Sequence, residues 1–427
     1  MNNIKYIFIV IILTITSCSK QTEQYEISNT HTSDVIPIEE ALANLRNTVV
    51  RIYGETKADS YTFDVDTFGN NDLAISTKSL DFSIPDTLMY LVNFNQNNGF
   101  AVLSANRQLN EDIYCITESG NISKDDFADS FNCIAAATTK SNVYAIEDMD
   151  EQFEEIGSAI IPRLIVSAML YDLADEELSA PIIETKLPHY KSENAYGPWL
   201  ETKWKQTGPF NDLTDRTPEN LHNDDDWPCG CTTIAAAQII NYHKIPVHPV
   251  FNGVKCNWDT LGTIYNYKKY KYAGSESAQN QAANFLYVIG SKDYCNTEYT
   301  ATSGGAYVID AKRAFKNLGY NDLNRRIGCT DNDIERIIDH IKLKKPVMMS
   351  GFTSNADGYV GHTWVIDGTD GNYLHINWGW NGDCDGYFVK GNFNTKKTRQ
   401  DSGMDFDGSP YANFNFTWTF RYLTYSI

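Results

Sequence analysis

A thiol and an imidazole stand out in this 427-residue chain because each sits where its chemistry is easily switched on. Cys231 follows Trp227-Pro-Cys-Gly and opens the run Thr-Thr-Ile-Ala-Ala-Ala-Gln-Ile-Ile-Asn-Tyr-His243, which stops short of Pro246. Alanines and long aliphatics favour a helix, and proline cannot extend one. The run carries few charges, so the helix is expected to be buried. Its first turn holds Cys231 against unpaired backbone N–H groups and the positive end of the helix dipole, which favour an anion. A thiol placed there ionises more readily and becomes a nucleophile. Taken alone, the helix is equally compatible with Cys231 as a small apolar core residue, the usual fate of cysteine.

A second segment weighs the balance towards chemistry. Gly361-His-Thr-Trp-Val-Ile-Asp367 reads as one strand and Tyr373-Leu-His-Ile-Asn-Trp378 as another, separated by the turn sequence Gly368-Thr-Asp-Gly-Asn372. If residues 368–371 form a four-residue loop, Asp367 pairs with Asn372 and His362 ends opposite Asn377. Opposed side chains lie roughly 5 Å apart on one face. An amide oxygen beside an imidazole can hold the tautomer needed for proton transfer, the task of a triad's third member. On this reading Cys231 is the nucleophile, His362 the base and Asn377 its orienter, with the Trp378 and Trp380 rings covering the pair. The plainer alternative is a structural hairpin with core tryptophans.

The other histidines fit the role less well. His243 lies on the same helix as Cys231, ~18 Å along the axis. His375 shares a face with His362 but has no evident orienter, and His340 belongs to a surface helix over 331–343. His31, His189, His222 and His248 fall in tether, linker or loop sequence. The nine cysteines include no CxxC pair, so a zinc site has little support and no metal is expected. A Cys229–Cys231 bridge is geometrically poor, and no dense disulfide framework is suggested.

Around these segments the chain divides by composition. Lys5 precedes an apolar run over 6–13, followed by Ile15-Thr-Ser-Cys18. A membrane span needs ~20 apolar residues; this run is shorter and reads as a secretory signal. The cysteine after small residues resembles a lipobox, which makes Cys18 a lipid anchor and 1–18 its signal peptide. Residues 19–35 form a polar tether, and 36–190 a further region with a helix over 36–52, strands over 88–94 and 99–104, and a helix over 160–173, where Pro162 is placed in the first turn. The loosely patterned stretch up to about 194 reads as a linker, and residues 195–427, which hold all eight tryptophans, as a second domain. The net charge of −20 argues against a nucleic-acid partner.

Residues 195–390 resemble the streptopain-type cysteine peptidases of the papain-like superfamily. The matching stretches, in the family's order, are Trp204-Lys-Gln-Thr-Gly-Pro-Phe-Asn211, Gly230-Cys-Thr-Thr-Ile-Ala-Ala-Ala-Gln-Ile-Ile-Asn-Tyr-His-Lys-Ile-Pro246, Ser303-Gly-Gly305 ahead of a helix over 306–318, Gly361-His-Thr-Trp-Val-Ile-Asp-Gly-Thr-Asp-Gly371, His375-Ile-Asn-Trp-Gly-Trp-Asn-Gly382 and Asp385-Gly-Tyr-Phe388. The resemblance implies an α+β fold: a two-lobed protease with a helical side bearing Cys231 and an antiparallel β side bearing His362, preceded by a separate α+β pro-domain. It implies that Gln206 joins the Cys231 N–H in an oxyanion hole, and that Ser303, Gly304, Gly305, Gly361, Trp378 and Trp380 line the substrate cleft. It also implies a zymogen whose pro-domain, including Gly99-Phe-Ala-Val-Leu-Ser104, is an intramolecular inhibitor. The segment Ser402-Gly-Met-Asp-Phe-Asp-Gly-Ser-Pro410 departs from the family's glycine-rich loop.

The sequence thus leads to the expectation of an exported, membrane-anchored lipoprotein that cleaves proteins or peptides by Cys–His acyl transfer without a cofactor. Two rivals are a peptidoglycan-peptide or amide hydrolase using the same pair, and an inactive surface lipoprotein that binds a partner through the same fold.

Overall fold

A computed structural model of the chain describes residues 34–73, 83–137, 153–174, 195–214, 227–266, 272–299, 304–355, 358–393 and 419–427. Residues 34–427 form one compact unit. The signal, the lipobox Cys18, most of the tether, the linker at 175–194, Ser303 and Ser402–Pro410 lie outside the described residues.

The N-terminal region comprises α1 (Ile38–Tyr53), α2 (Glu55–Ser60), β1 (Phe63–Phe68), β2 (Met89–Phe94), β3 (Phe100–Ser104), β4 (Ile113–Thr117), α3 (Lys124–Ala137) and α4 (Phe153–Ala174). The expected β2–β3 hairpin is present, closed by a 3-10 turn over Asn95–Asn97. α4 begins earlier than the sequence suggests, so Pro162 lies inside the helix rather than in its first turn. A mid-helix proline costs ~3 kcal/mol. Burial of Ile160, Ile161, Leu164, Ile165 and Met169 on one core offsets that cost.

The C-terminal region continues with α5 (Cys231–His243), the ribbon β5 (Val250–Phe251) and β6 (Val254–Lys255), α6 (Trp258–Gly262), and the ribbon β7 (Tyr265–Asn266) and β8 (Tyr272–Ala273). Then come α7 (Glu276–Gly290), a third ribbon of β9 (Glu298–Tyr299) and β10 (Gly304–Gly305), and α8 (Val308–Asn317). The chain closes with β11 (Asn321–Ile327), α9 (Asp331–Lys342), β12 (Val347–Asn355), β13 (Gly358–Thr369), β14 (Tyr373–Asn377), β15 (Gly386–Val389) and β16 (Thr419–Ser426). α9 starts on a capping box between Thr330 and Asp333.

One antiparallel sheet of ten strands runs β1-β2-β3-β4-β15-β14-β13-β12-β16-β11. The N-terminal region therefore shares its sheet with the C-terminal region: β4 pairs with β15, Cys115 opposite Phe388 and Thr117 opposite Gly386. Alternation along the central strands sorts side chains between two cores. Met349, Trp364, Ile366, Phe420 and Tyr422 join the core shared with α3, α4 and α9. Met348, Val365, Leu423 and Tyr425 join the core built on α5, α7 and α8. α5 is buried as expected, with the side chains from Thr232 to Asn241 inside.

Candidate active site

Cys231 is the first residue of α5, as the proline and alanine pattern predicts. Gly230 caps the helix at φ +88 with no side-chain hydrogen bond, so no cap side chain competes for the first-turn amides. Space also demands glycine here. A Cβ on Gly230 would stand 2.6 Å from the Gly304 carbonyl oxygen, and one on Gly304 would stand 2.5 Å from the Pro228 oxygen and 2.7 Å from the Gly230 nitrogen. The β10 backbone thus lies directly on the turn that presents the thiol. Burial pushes the Cys231 thiol up, but contact with the His362 ring, reinforced by the Thr363 N–H and hydroxyl, outweighs it and brings the thiol down to about 7.

His362 is buried on β13. Its Nε2 lies 2.7 Å from the Trp378 carbonyl oxygen. A carbonyl only accepts, so Nε2 carries the hydrogen and Nδ1 is the nitrogen left to meet the thiol. The Trp380 ring stacks at 4.6 Å from the imidazole and 5.2 Å from Trp378. Trp380 is half-buried and covers the pair. The Trp378 ring is fully buried under it, so the expected cleft contact from that side chain is not available; its contribution is its carbonyl.

The expected pairing of His362 with Asn377 is not what the strands make. Asn377 stands opposite Val365, and a bulge at Asp367 shifts the ladder before Gly368 meets His375. The turn closes later than the glycines suggest. The Asp370 carboxylate accepts the N–H groups of Asn372 and Tyr373 at 3.0 and 2.9 Å, which keeps Gly368 and Thr369 in the strand. Asn377 instead accepts from Gln238 Nε2 at 2.9 Å and from the Gly379 N–H at 3.1 Å, and donates to the Thr202 carbonyl at 2.9 Å. The backbone one residue later takes the place in which the sequence put Asn377.

Gln206 is brought to the site across a long sequence gap. Its carbonyl accepts the Cys229 N–H at 2.9 Å, and its side-chain Oε1 is buried without a hydrogen-bond partner. Gly305 pairs with Glu298 and Gly304 with Tyr299, while Gly361 precedes His362 and pairs with Phe352. A cavity of about 530 Å³ is lined by Asp212, Leu213, Tyr287, Lys292, Thr297 and Tyr299 among others. Cys229 is fully buried with its thiol pushed up by burial, in contrast to its neighbour.

Two features escaped sequence reasoning. The hydroxyls of Thr232 and Thr363, each next to a reactive residue, meet at 2.9 Å, and Thr232 donates to the Ala306 carbonyl at 2.8 Å. Adjacency to Cys231 and His362 was their only signal. His375, read as lacking an orienter, has a strong one: its Nδ1 lies 2.6 Å from Asp367 Oδ1, with Glu118 3.8 Å from Nε2. Burial lowers its pKa, but the two carboxylates prevail and hold it near 10. His243 is bound to the Tyr425 hydroxyl at 2.8 Å and takes no part. Among the described residues no cluster of metal-ligating side chains occurs.

A thiol at the start of a buried helix, met by an imidazole from an antiparallel sheet, defines the papain-like class of thiol enzymes. Residues 204–388 match the Peptidase C10 family. Streptopain of Streptococcus pyogenes is 34% identical over 182 residues, covering 37% of this chain and 44% of streptopain. The thiol protease/hemagglutinin PrtT of Porphyromonas gingivalis is 28% identical over 229 residues, 49% of this chain and 24% of PrtT. The chain therefore spans less than half the length of the curated relatives it matches. A prointerpain A fragment of Prevotella intermedia shares the fold over 85% of this chain and 98% of the fragment, at TM-score 0.50 and 19% identity. Residues 204–388 are thus similar to the streptopain-type cysteine peptidases, and an N-terminal region precedes them in the shared fold.

Proposed function

We propose that the chain is the precursor of an exported, lipid-anchored cysteine endopeptidase that cleaves proteins or peptides. The observation that carries this reading is the contact between Cys231 and His362, with the thiol brought down to about 7 despite burial. At neutral pH a large share of the sulfur is thiolate, the form that attacks.

The thiolate adds to the peptide carbonyl, and the oxyanion is received by the Cys231 N–H and the Gln206 amide. Collapse breaks the C–N bond as His362 gives the leaving amine the proton that its Nδ1 took from the Cys231 thiol. Water then gives a proton to His362 and attacks the thioester, releasing the acid and returning the thiolate. The Trp378 carbonyl holds the Nε2–H throughout, so proton exchange is confined to Nδ1. Gly304 and Gly305 offer backbone to an extended substrate beside Cys231.

The N-terminal region serves as the pro-domain. Support comes from the prointerpain likeness, from the β4–β15 pairing, and from the ion pairs Arg51–Asp370 at 2.9 Å and Glu118–Lys203 at 3.3 Å. The lipid anchor at Cys18 rests on the lipobox pattern alone.

Labelling with an epoxysuccinyl thiol trap after activation tests the enzyme reading. Label on the wild type and none on Cys231→Ala is expected, with casein turned over in preference to muropeptides. An unlabelled wild type sinks it. Incorporation of labelled palmitate, lost in Cys18→Ser, tests the anchor.

A further inference from the structure

Trp378 touches the imidazole through its carbonyl, so whatever fixes its backbone fixes His362. That backbone is held at both ends. On one side the Trp378 N–H donates to Asp385 Oδ1 at 2.9 Å. On the other, the peptide that carries the Trp378 carbonyl ends in the Gly379 N–H, which donates to Asn377 Oδ1 at 3.1 Å. Asn377 Oδ1 also receives Gln238 Nε2 at 2.9 Å. Gln238 in turn accepts from the Thr202 hydroxyl at 2.9 Å and the Trp204 N–H at 3.3 Å. Gln238 lies two turns along α5 from Cys231 and is fully buried. An unbroken chain of hydrogen bonds therefore runs from the helix that carries the thiol to the carbonyl that holds the base.

The geometry points to Gln238 and Asp385 as positioning residues for His362, acting from opposite ends of the Trp378 backbone. The inference rests on the peptidase reading above. Both side chains are buried polar groups with their bonds made inside a core, where such bonds are stiff and polarise one another. Displacing the Trp378 carbonyl from Nε2 by even ~1 Å frees the ring to turn or change tautomer, and misplacements of that size cost about 100-fold in rate. Gln238 adds a second consequence. It ties the helix to the hairpin, alongside the Thr232–Thr363 hydroxyl pair at 2.9 Å, so the distance between thiol and imidazole rests on specific side-chain bonds as well as on packing.

Asp385 has further neighbours: Lys203, His375 and Asp367 act on its carboxyl, and its backbone carbonyl accepts the Glu118 N–H at 2.7 Å. Burial raises its carboxyl to about 7 against the pull of Lys203, the Trp378 N–H and His375. A neutral amide of the same shape keeps an acceptor for Trp378 N–H, so Asp385→Asn is the conservative replacement and Asp385→Ala the disruptive one.

The test uses the full chain, activated by limited proteolysis, and four proteins: wild type, Asp385→Asn, Asp385→Ala and Gln238→Leu. Peptide hydrolysis gives kcat and KM, and iodoacetamide alkylation of Cys231 across pH, read by mass, reports how well His362 supports the thiolate. Expected are kcat losses of roughly 10- to 100-fold in Asp385→Ala and Gln238→Leu with KM within about twofold. The alkylation midpoint should rise in both, and Asp385→Asn should recover most of kcat and the midpoint. Thermal melts accompany each variant; if Asp385→Ala does not fold, Asp385→Ser and Gln238→Leu carry the test. Unchanged kcat and midpoint in folded Gln238→Leu and in the folded Asp385 variant overturn the inference, as does a rise in KM alone. A wild type with neither hydrolysis nor Cys231 alkylation fails the peptidase reading itself, which is a distinct outcome.

Discussion

His362 Nε2 and the Trp378 carbonyl oxygen, 2.7 Å apart, set which nitrogen of the imidazole faces Cys231. The tautomer is thus fixed by main chain, a group no side-chain substitution can delete. Removing His362 is a different matter. His362→Ala leaves burial of the thiol opposed only by Thr363 and the start of the helix, so the Cys231 ionisation should rise above about 7. Thiolate at pH 7 then falls severalfold, and with the proton donor gone kcat/KM should drop by roughly 1,000-fold or more. Alkylation of Cys231 against pH checks the first part, and a midpoint that stays near 7 contradicts it.

Gln206 offers a cleaner separation of stability from catalysis. Its Oε1 is buried without a hydrogen-bond partner, a state that costs rather than stabilises. Gln206→Ala should leave the melting temperature unchanged or slightly higher, yet lower kcat by about 100- to 1,000-fold through loss of an oxyanion donor. A fall in stability with kcat intact would assign Gln206 to the scaffold instead.

Gly304→Ala pits a methyl group against backbone. The new Cβ would meet the Pro228 oxygen at 2.5 Å, the Gly230 nitrogen at 2.7 Å and the Gly230 Cα at 2.8 Å. None of these is a flexible side-chain end, so β10 must move off the turn that presents Cys231. Overpacking of this kind costs about 1–3 kcal/mol. Thermal unfolding should show that loss, and hydrolysis should suffer beyond it because the cleft edge shifts. Wild-type stability and activity together would show that the two segments part easily.

Glu118 joins the N-terminal region to the C-terminal region through His375 and Lys203. Burial raises its carboxyl, but His375 and the lysines hold it at about 2, below the ordinary 4.5. Its contribution to stability is therefore complete above pH 4.5 and lost as pH falls through 2. His375, raised from 6.5 to about 10, contributes fully below pH 6.5 and loses its contribution as pH rises through 10. The destabilisation by Glu118→Gln should be greatest between pH 4.5 and 6.5, about 1 kcal/mol, since Glu118 is half-buried and His375 keeps its closer partner Asp367 at 2.6 Å. Mild acid should not loosen the N-terminal region of the wild type. Release near pH 5, followed by limited proteolysis, would contradict this.

The local elements were legible in the sequence because their causes are local. The glycine, the alanine-rich run and the proline around Cys231 set α5 and put the thiol at its start, and short apolar runs bounded by turn residues set β2, β3, β13 and β14. The motif stretches sufficed to bring Cys231, His362 and Gln206 together as candidates. Only the tertiary structure decided the rest. The register of β13 on β14 turned on the Asp370 carboxylate and a bulge at Asp367, whose side chain is drawn to His375, and a shift in register changes the whole set of opposed residues. That choice moved the orienting role from the Asn377 side chain to the Trp378 carbonyl. The pairing of β4 with β15, the approach of Glu118 to His375 and the meeting of Gln238 with Asn377 join residues more than a hundred positions apart. Contacts at that separation leave no periodicity or spacing in a single chain; they exist only once burial has brought the groups out of water and made each one need a partner.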